Sequence, residues 1–332
     1  MSLIERALVP LFKVVSVETL VNTKSGKFIS PLYHCVSDQE VPHIKNLYRS
    51  KNIETFDKEL DFLLKYYKPV DFNEVKSASL NNKAFEKPSM LLTFDDGLSE
   101  CANVIAPILL KKGVPAIFFI NSGFVDNRDL FYRYKVSLII EEVSKNSRKL
   151  SEIKKGVSLS KAIKSLKLLN YKDIALINDL AEKIDLSFDR YLEQNKPYMS
   201  TDEIRSLSQS GFSIGAHSVD HPYYKEMNYD FNLDQTINSL NYVCDTFNLD
   251  YRAFAFPFSD NKMPRRFFEE ILDQHCDLTF GTSGSRMDIF SNSIQRIPFE
   301  QGDLSAEHIL KLYLSARLIK RLTGTYTIAR NN

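Results

Sequence analysis

The chain has 332 residues, 43% of them hydrophobic and 12% aromatic, which supplies a sizeable core for one large domain, with or without an insertion. Its 43 basic and 42 acidic side chains leave a formal charge of +1; that balance excludes a global field favouring nucleic acid or anionic lipid and places recognition on a local site. Cys35, Cys101, Cys244 and Cys276 lie far apart with no CxxC pair and read as free thiols.

From the N-terminus, Leu3, Ile4, Leu8, Leu11, Phe12 and Val15 recur at helical spacing, so residues 1–28 read as a unit led by an amphipathic helix packed on the domain. Glu5, Arg6, Lys13 and Glu18 interrupt every apolar run, leaving neither a signal-peptide core nor a transmembrane span. The expected location is cytoplasmic or at the periphery of a membrane.

Residues 29–126 form the first part of an alternating β and α pattern, with strands expected at Leu32–His34, Met90–Phe94 and Ala116–Ile120 and a helix over about 99–112, ended by Gly113 and Pro115. Residues 127–197 break the phase: the stretch is rich in Lys, Ser and Leu, shows no strand signal and is too long for an ordinary connection, so it reads as a folded helical insertion. Residues 198–304 resume the alternation with strands at Phe212–Ala216, Ala253–Phe256, Leu278–Gly281 and Ile294–Phe299 and helices over about 201–210, 230–247 and 264–274. A C-terminal helix and tail occupy 305–332. Repeated βα units in this phase indicate a parallel sheet or an α/β barrel.

Two strand ends carry chemistry. Met90 to Phe94 runs directly into Asp95, Asp96 and Gly97, and the carboxyl ends of strands are where α/β folds place catalytic groups. Two adjacent aspartates repel, and keeping both ionised favours a nearby cation; alone, the pair also fits an Asx turn. Phe212 to Ala216 runs into His217-Ser-Val-Asp-His221-Pro222. Two histidines four residues apart can clamp one ion from a turn or loop, and Pro222 disfavours helix at His221. Together these residues offer one carboxylate and two imidazoles on one scaffold, with positions left for water and substrate.

With these residues in hand, the sequence resembles the polysaccharide deacetylases, the NodB-homology group or carbohydrate esterase family 4. The resemblance rests on Thr93-Phe-Asp-Asp-Gly97, His217-Ser-Val-Asp-His221 and Phe254-Ala-Phe-Pro-Phe258, in family order. It implies a distorted (β/α) barrel of about seven strands with a helical insertion, and hydrolysis of N-acetyl groups on an amino-sugar glycan or its precursor. It further implies Asp95 as general base, Asp96, His217 and His221 as ligands of a divalent ion, and the backbone N–H of Phe258 as an oxyanion donor. Zinc suits two imidazoles and a carboxylate, and Co2+, Ni2+ or Fe2+ fits the same ligands. The implied partner is a carbohydrate, with no nucleic acid, and the oligomeric state is left open.

Two departures from the family pattern stand out. The third motif often begins with an arginine that pairs with the base; here Ala253 to Ser259 has none, Arg252 falls three residues early, and Arg296 on the last strand is either the replacement or an ordinary salt-bridge residue. The usual late Leu-x-His motif is also missing, since His308 fits it poorly. Pro31-Leu-Tyr-His34-Cys-Val-Ser-Asp38 instead looks like the biofilm poly-N-acetylglucosamine deacetylase branch, whose motif order is permuted, making His34 the general-acid candidate. His43 and His275 read as structural or solvent-facing, and Tyr132, Tyr134, Tyr198, Tyr223 and Tyr224 as packing residues with the option of stacking on a sugar. Rival readings are a non-sugar amide as substrate, or a catalytically silent glycan-binding protein, against which the presence of Asp95 argues.

Overall fold

The computed structural model describes residues 15–153 and 155–331. Most of the expected N-terminal helix therefore lies outside the described residues. Within them, Val17–Val21 is helical and buries Val17, Leu20 and Val21, with the Ser16 hydroxyl accepting the Thr19 N–H at 3.1 Å as N-cap.

The body of the protein is an eight-stranded, wholly parallel sheet. In chain order its strands are β1 (Pro31–Tyr33), β2 (Leu92–Phe94), β3 (Ala116–Ile120), β4 (Ser213–Ala216), β5 (Ala253–Ala255), β6 (Leu278–Gly281), β7 (Ser293–Gln295) and β8 (Ile297–Pro298). The spatial order is β7-β6-β5-β4-β3-β2-β1-β8. Sequences such as Ala-Ile-Phe-Phe-Ile in β3 are buried at every position, as required of strands covered on both faces.

The two edges of this sheet belong to one stretch of chain. β7 pairs with β6 and β8 pairs with β1, yet only Arg296 separates them. The single expected strand Ile294–Phe299 is thus broken at Arg296, one half closing each side of the seam. Seven strand positions become eight segments, and the sheet curls into a nearly closed, distorted (β/α) barrel.

Local departures from the expected elements have local causes. The Met90–Phe94 run divides: Ser89–Met90 joins a small parallel sheet with Phe28–Ile29 and Lys68–Pro69, and only Leu92–Phe94 enters the barrel. The helix expected over 99–112 starts as a π-helical turn, Cys101–Ile105, before the α-helix Ala106–Lys112. Pro107 has no N–H to extend an α-helical ladder back into that turn. Gly113, at φ 64°, ends the helix.

Between β3 and β4 the chain is helical at Tyr132–Lys145, Ser147–Ile153, Leu159–Leu166, Ile174–Lys183 and Phe188–Asn195. Ile139, Leu166, Ile177, Ile184 and Leu192 build a second core there, shared with Cys35, Val41 and Ile44 of the connection after β1. The return of this segment is tied to the loop after β2: Met199 N–H donates to Gly97 O at 2.9 Å and Ser99 N–H to Pro197 O at 2.9 Å. All four cysteines are free and buried. Among the described residues no helix is long and apolar enough to cross a membrane.

Candidate active site

The motif residues meet at the carboxyl-terminal rim of the barrel. Asp95 and Asp96 leave β2, His217 leaves β4, Phe258 follows β5, His34 leaves β1, and Arg296 stands at the β7–β8 seam. The rim is built from unusual backbone: Asp96, Ser218, His221 and Phe258 have φ of 71°, 66°, 59° and 58°. Each such non-glycine residue costs about 1–3 kcal/mol, and clusters of them mark sites where side-chain direction matters more than local comfort. His221 accordingly sits in a loop, but in the left-handed region rather than the extended one that its following proline favours. Gly97, at φ 66°, completes the turn, where a Cβ would stand 3.1 Å from Ile120 Cγ2.

Asp96, His217 and His221 converge: their donor atoms all lie within 4.8 Å of one another, and all three residues are buried. Asp96 Oδ1 is 3.3 Å from His221 Nε2 and 3.6 Å from His217 Nε2. Two ligand atoms held at about 2.0–2.1 Å by one tetrahedral ion stand roughly 3.4 Å apart, so the spacing fits a shared ion. Asp96 Oδ1 and His217 Nε2 are also buried with no hydrogen-bond partner, lone pairs that a cation would satisfy and that are otherwise costly. The supports are in place. His217 Nδ1 bonds Ala255 O at 2.8 Å, which assigns the proton to Nδ1 and frees Nε2 for coordination. Burial lowers the His217 pKa to about 4, so the ring is neutral, as a ligand must be. Asp96 Oδ2 accepts the Tyr134 hydroxyl at 2.7 Å, and Asn121, just beyond β3, holds His217 O through its side-chain amide.

Asp95 is gripped by Arg296 at both oxygens, Oδ1 to Nη1 at 2.5 Å and Oδ2 to Nη2 at 2.8 Å. Arg296 is fully buried and occupies the role left open by the arginine-free third motif. Burial works against ionisation of Asp95, but the charge and hydrogen bonds of Arg296, together with His217 and His34, outweigh it and hold the pKa below the usual aspartate value. His34, 28% exposed at its side chain, bonds Glu300 Oε2 through Nδ1 at 2.5 Å. Glu300 Oε1 also accepts the Cys35 N–H at 2.9 Å. Burial alone would lower the His34 pKa; the Glu300 carboxylate, with smaller help from Asp96 and Asp95, raises it to about 9.

Aromatic rings wall the site. Phe131 lies 4.3 Å and Phe258 4.7 Å from the His221 ring, and Tyr223 is 5.2 Å from Phe258. The Phe258 N–H donates to no protein acceptor among the described residues. Of the tyrosines, Tyr132, Tyr198 and Tyr224 are buried in packing, whereas Tyr134 is a support of Asp96 rather than a sugar platform. Of the two roles left open for His43, the structural one holds: it is buried, its Nδ1 bonds the Tyr191 hydroxyl at 2.8 Å, and burial lowers its pKa to about 3. Glu300, Asn121 and the Tyr134 contact were not seen in the sequence. Glu300 directly follows the last expected strand, Ile294–Phe299, and the strand-end rule that found Asp95 would have found it.

Comparison with known proteins bears on the same rim. A sequence profile described as polysaccharide deacetylase matches residues 82–269, more than half of the chain. No curated protein sequence matches significantly. Among solved structures, the Streptococcus pyogenes deacetylase PplD, described in complex with acetate, is 17% identical with a TM-score of 0.57, covering 86% of this chain and 98% of that one. IcaB from Ammonifex degensii is 16% identical at TM-score 0.54, covering 88% and 97%. A de-N-acetylase from Aggregatibacter actinomycetemcomitans is 15% identical at TM-score 0.52, covering 84% and 97%. At these identities the structures establish a shared fold.

Proposed function

Because the chain belongs to the polysaccharide deacetylase family, and is therefore a carbohydrate deacetylase, we propose that its rim hydrolyses the N-acetyl amide of an amino sugar in a glycan or glycan precursor. The observation that carries this reading is the convergence of the partnerless atoms of Asp96 and His217 with His221, directly beside an arginine-held Asp95. The acetate bound to the Streptococcus pyogenes relative is the product such a reaction releases, which supports the same reading here.

Asp96, His217 and His221 would hold a divalent ion, with zinc preferred for this donor set. When bound, that ion supplies carbonyl polarisation and a more acidic water. Asp95 takes the water proton: ionised by its pairing with Arg296, it is a competent base at neutral pH. His34, protonated at neutral pH through Glu300, donates to the leaving amine. The unpaired N–H of Phe258 would donate to the developing oxyanion, where a preset donor is most effective. The half-buried Tyr223 and the Phe258 ring offer an apolar edge for a sugar ring. The same proposal divides the chain into barrel parts at 29–126 and 198–304, an insertion at 127–197 and end segments at 1–28 and 305–332.

The test is acetate release from N-acetylglucosamine oligomers and lipid-linked precursors in the presence of added divalent metal, with Asp95→Asn as control. Wild-type turnover that falls by about 10²-fold or more in the control supports the reading; turnover of a non-sugar acetamide in preference to every glycan would replace the substrate class.

A further inference from the structure

The far end of the barrel contains a cavity of about 480 Å3, unrelated to the rim chemistry. It opens beside Phe28, just ahead of β1, and Ser293 and Ile294 at the start of β7, whereas the proposed catalytic residues leave the opposite ends of the strands. Its walls are mainly apolar: Phe28 stacks on Phe85 at 5.1 Å, and Val75, Phe290, Ile294 and Tyr326 complete them.

Set into this apolar lining is a guanidinium with no acid beside it. Arg317 is 5% exposed and bonds only backbone carbonyls: Nε to Gly284 O at 2.7 Å, and Nη1 to Ser25 O at 3.0 Å and Phe28 O at 2.8 Å. Its Nη2 has no protein partner among the described residues. Burial pulls its pKa below the usual arginine value, as expected when water is removed from a cation and no anion replaces it. Elsewhere in this protein buried arginines are met by carboxylates, Arg296 by Asp95 and Arg330 by Asp288 and Asp260. The cavity mouth adds Lys24, Lys27, Lys83, Arg286 and Arg321. The one acid in the lining, Asp288, is already bound to Arg330.

We propose that this cavity binds an anionic amphiphile, a hydrocarbon chain lying between the rings and ending in an oxyanion headgroup, phosphate or carboxylate, held by Arg317 and the basic mouth. A purely apolar ligand would leave the buried charge uncompensated. A free inorganic anion would leave the apolar walls in contact with water. With Nε and Nη1 committed to backbone carbonyls, the two N–H donors of Arg317 Nη2 are left to take an oxyanion oxygen through charge-assisted hydrogen bonds. With a formal charge of only +1 on the whole chain, the attraction is local to this mouth.

Decyl phosphate below its micellar concentration, titrated calorimetrically against the full chain, tests the proposal. Saturable one-to-one binding is expected, about tenfold or more tighter than inorganic phosphate or decanol, since each half of the ligand contributes. Arg286→Gln with Arg321→Gln should weaken it about tenfold by removing charged contacts at the mouth. Ala78→Trp, which fills the slot from the helix Phe72–Leu80, should abolish it. Because Arg317 also ties three backbone carbonyls, Arg317→Met is read only if its melting transition survives, and the mouth and slot variants decide otherwise. Acetate release from a soluble glycan should be unchanged in all of the mouth and slot variants, which separates failure here from failure of the proposed reaction. Inorganic phosphate or decanol binding as tightly as decyl phosphate would overturn the proposal, as would no saturable binding. Binding to anionic vesicles without binding to monomeric decyl phosphate would assign the face to a membrane surface, and dimerisation reversed by decyl phosphate would assign it to a second copy; either result replaces the proposal.

Discussion

Asp96 Oδ1 and His217 Nε2 are buried with nothing to bond, while their neighbour Asp95 and the nearby His34 are each held by an ion pair. The two groups share one rim but are organised in opposite senses: the first holds lone pairs open for a ligand, the second holds charge states constant. They also assemble differently. His217 and His221 come from one loop and Asp96 from the motif that precedes it, whereas Arg296 reaches Asp95 across 201 residues and Glu300 reaches His34 across 266. The candidate ligand set comes from short motifs, whereas the ion pairs on Asp95 and His34 depend on how the barrel closes.

The largest effects should follow from breaking the open group. His217→Ala, or Asp96→Ala, should lose the bound divalent ion and take acetate release to the uncatalysed background; metal content by elemental analysis, measured beside activity, decides whether both fall together. An Ala variant that keeps stoichiometric metal would remove that residue from the ligand set.

Next in size, Asp95→Asn should keep the metal and lower kcat by about 10²–10⁴, the range of a lost general base. It should also strand the buried Arg296, and removing one partner of a buried pair costs about 3–5 kcal/mol, so the melting temperature should fall as well. Adding Arg296→Met to Asp95→Asn should restore part of the stability and none of the activity. Recovery of activity in that double variant would show that Asp95 acts only as a counter-ion.

The same division explains what could be read from the sequence. The barrel strands were legible because buried parallel strands are continuous apolar runs, and the candidate ligands because strand ends with paired acids or spaced histidines are rare. Arg296 was singled out without its role being decided, since nothing in Gln295-Arg296-Ile297 says that a strand will break there and close both edges of the sheet. Glu300 left only the weak signal of its place after a strand, because its partner comes from the other end of the chain. Asn121 and Tyr134 left none: both act through contacts formed only once the barrel and the helices between β3 and β4 are packed.

A smaller effect tests the closed group through pH. His34 faces Glu300 most directly, with Asp95 and Asp96 further off and the neutral Tyr48 ring 5.7 Å away. Its raised pKa of about 9 keeps the proton in place at neutral pH, so kcat for an amide should fall as pH rises through about 9. Glu300→Gln removes the largest of the charges that raise that pKa, so the alkaline limb should move down by about one pH unit or more. An activated acetyl ester, whose leaving group needs no proton, should lack this limb and be spared by His34→Ala. An unchanged limb in Glu300→Gln would take the acid role from His34.

The smallest predicted change addresses the boundary between the two groups. Tyr134 lies in the first turn of the helical segment between β3 and β4, yet its hydroxyl reaches Asp96 Oδ2 at 2.7 Å, leaving Oδ1 free to meet an ion. Tyr134→Phe keeps the ring packing against Phe131 and Tyr198 and removes only that donor. Loss of such a support to a ligand costs about 10–100-fold in metal affinity. The expected result is weaker metal binding with activity recovered at saturating metal and an unchanged alkaline limb. A variant that loses activity even at saturating metal would mean that Tyr134 contributes to the chemistry itself, and the helical segment would then count as part of the active site rather than as its support.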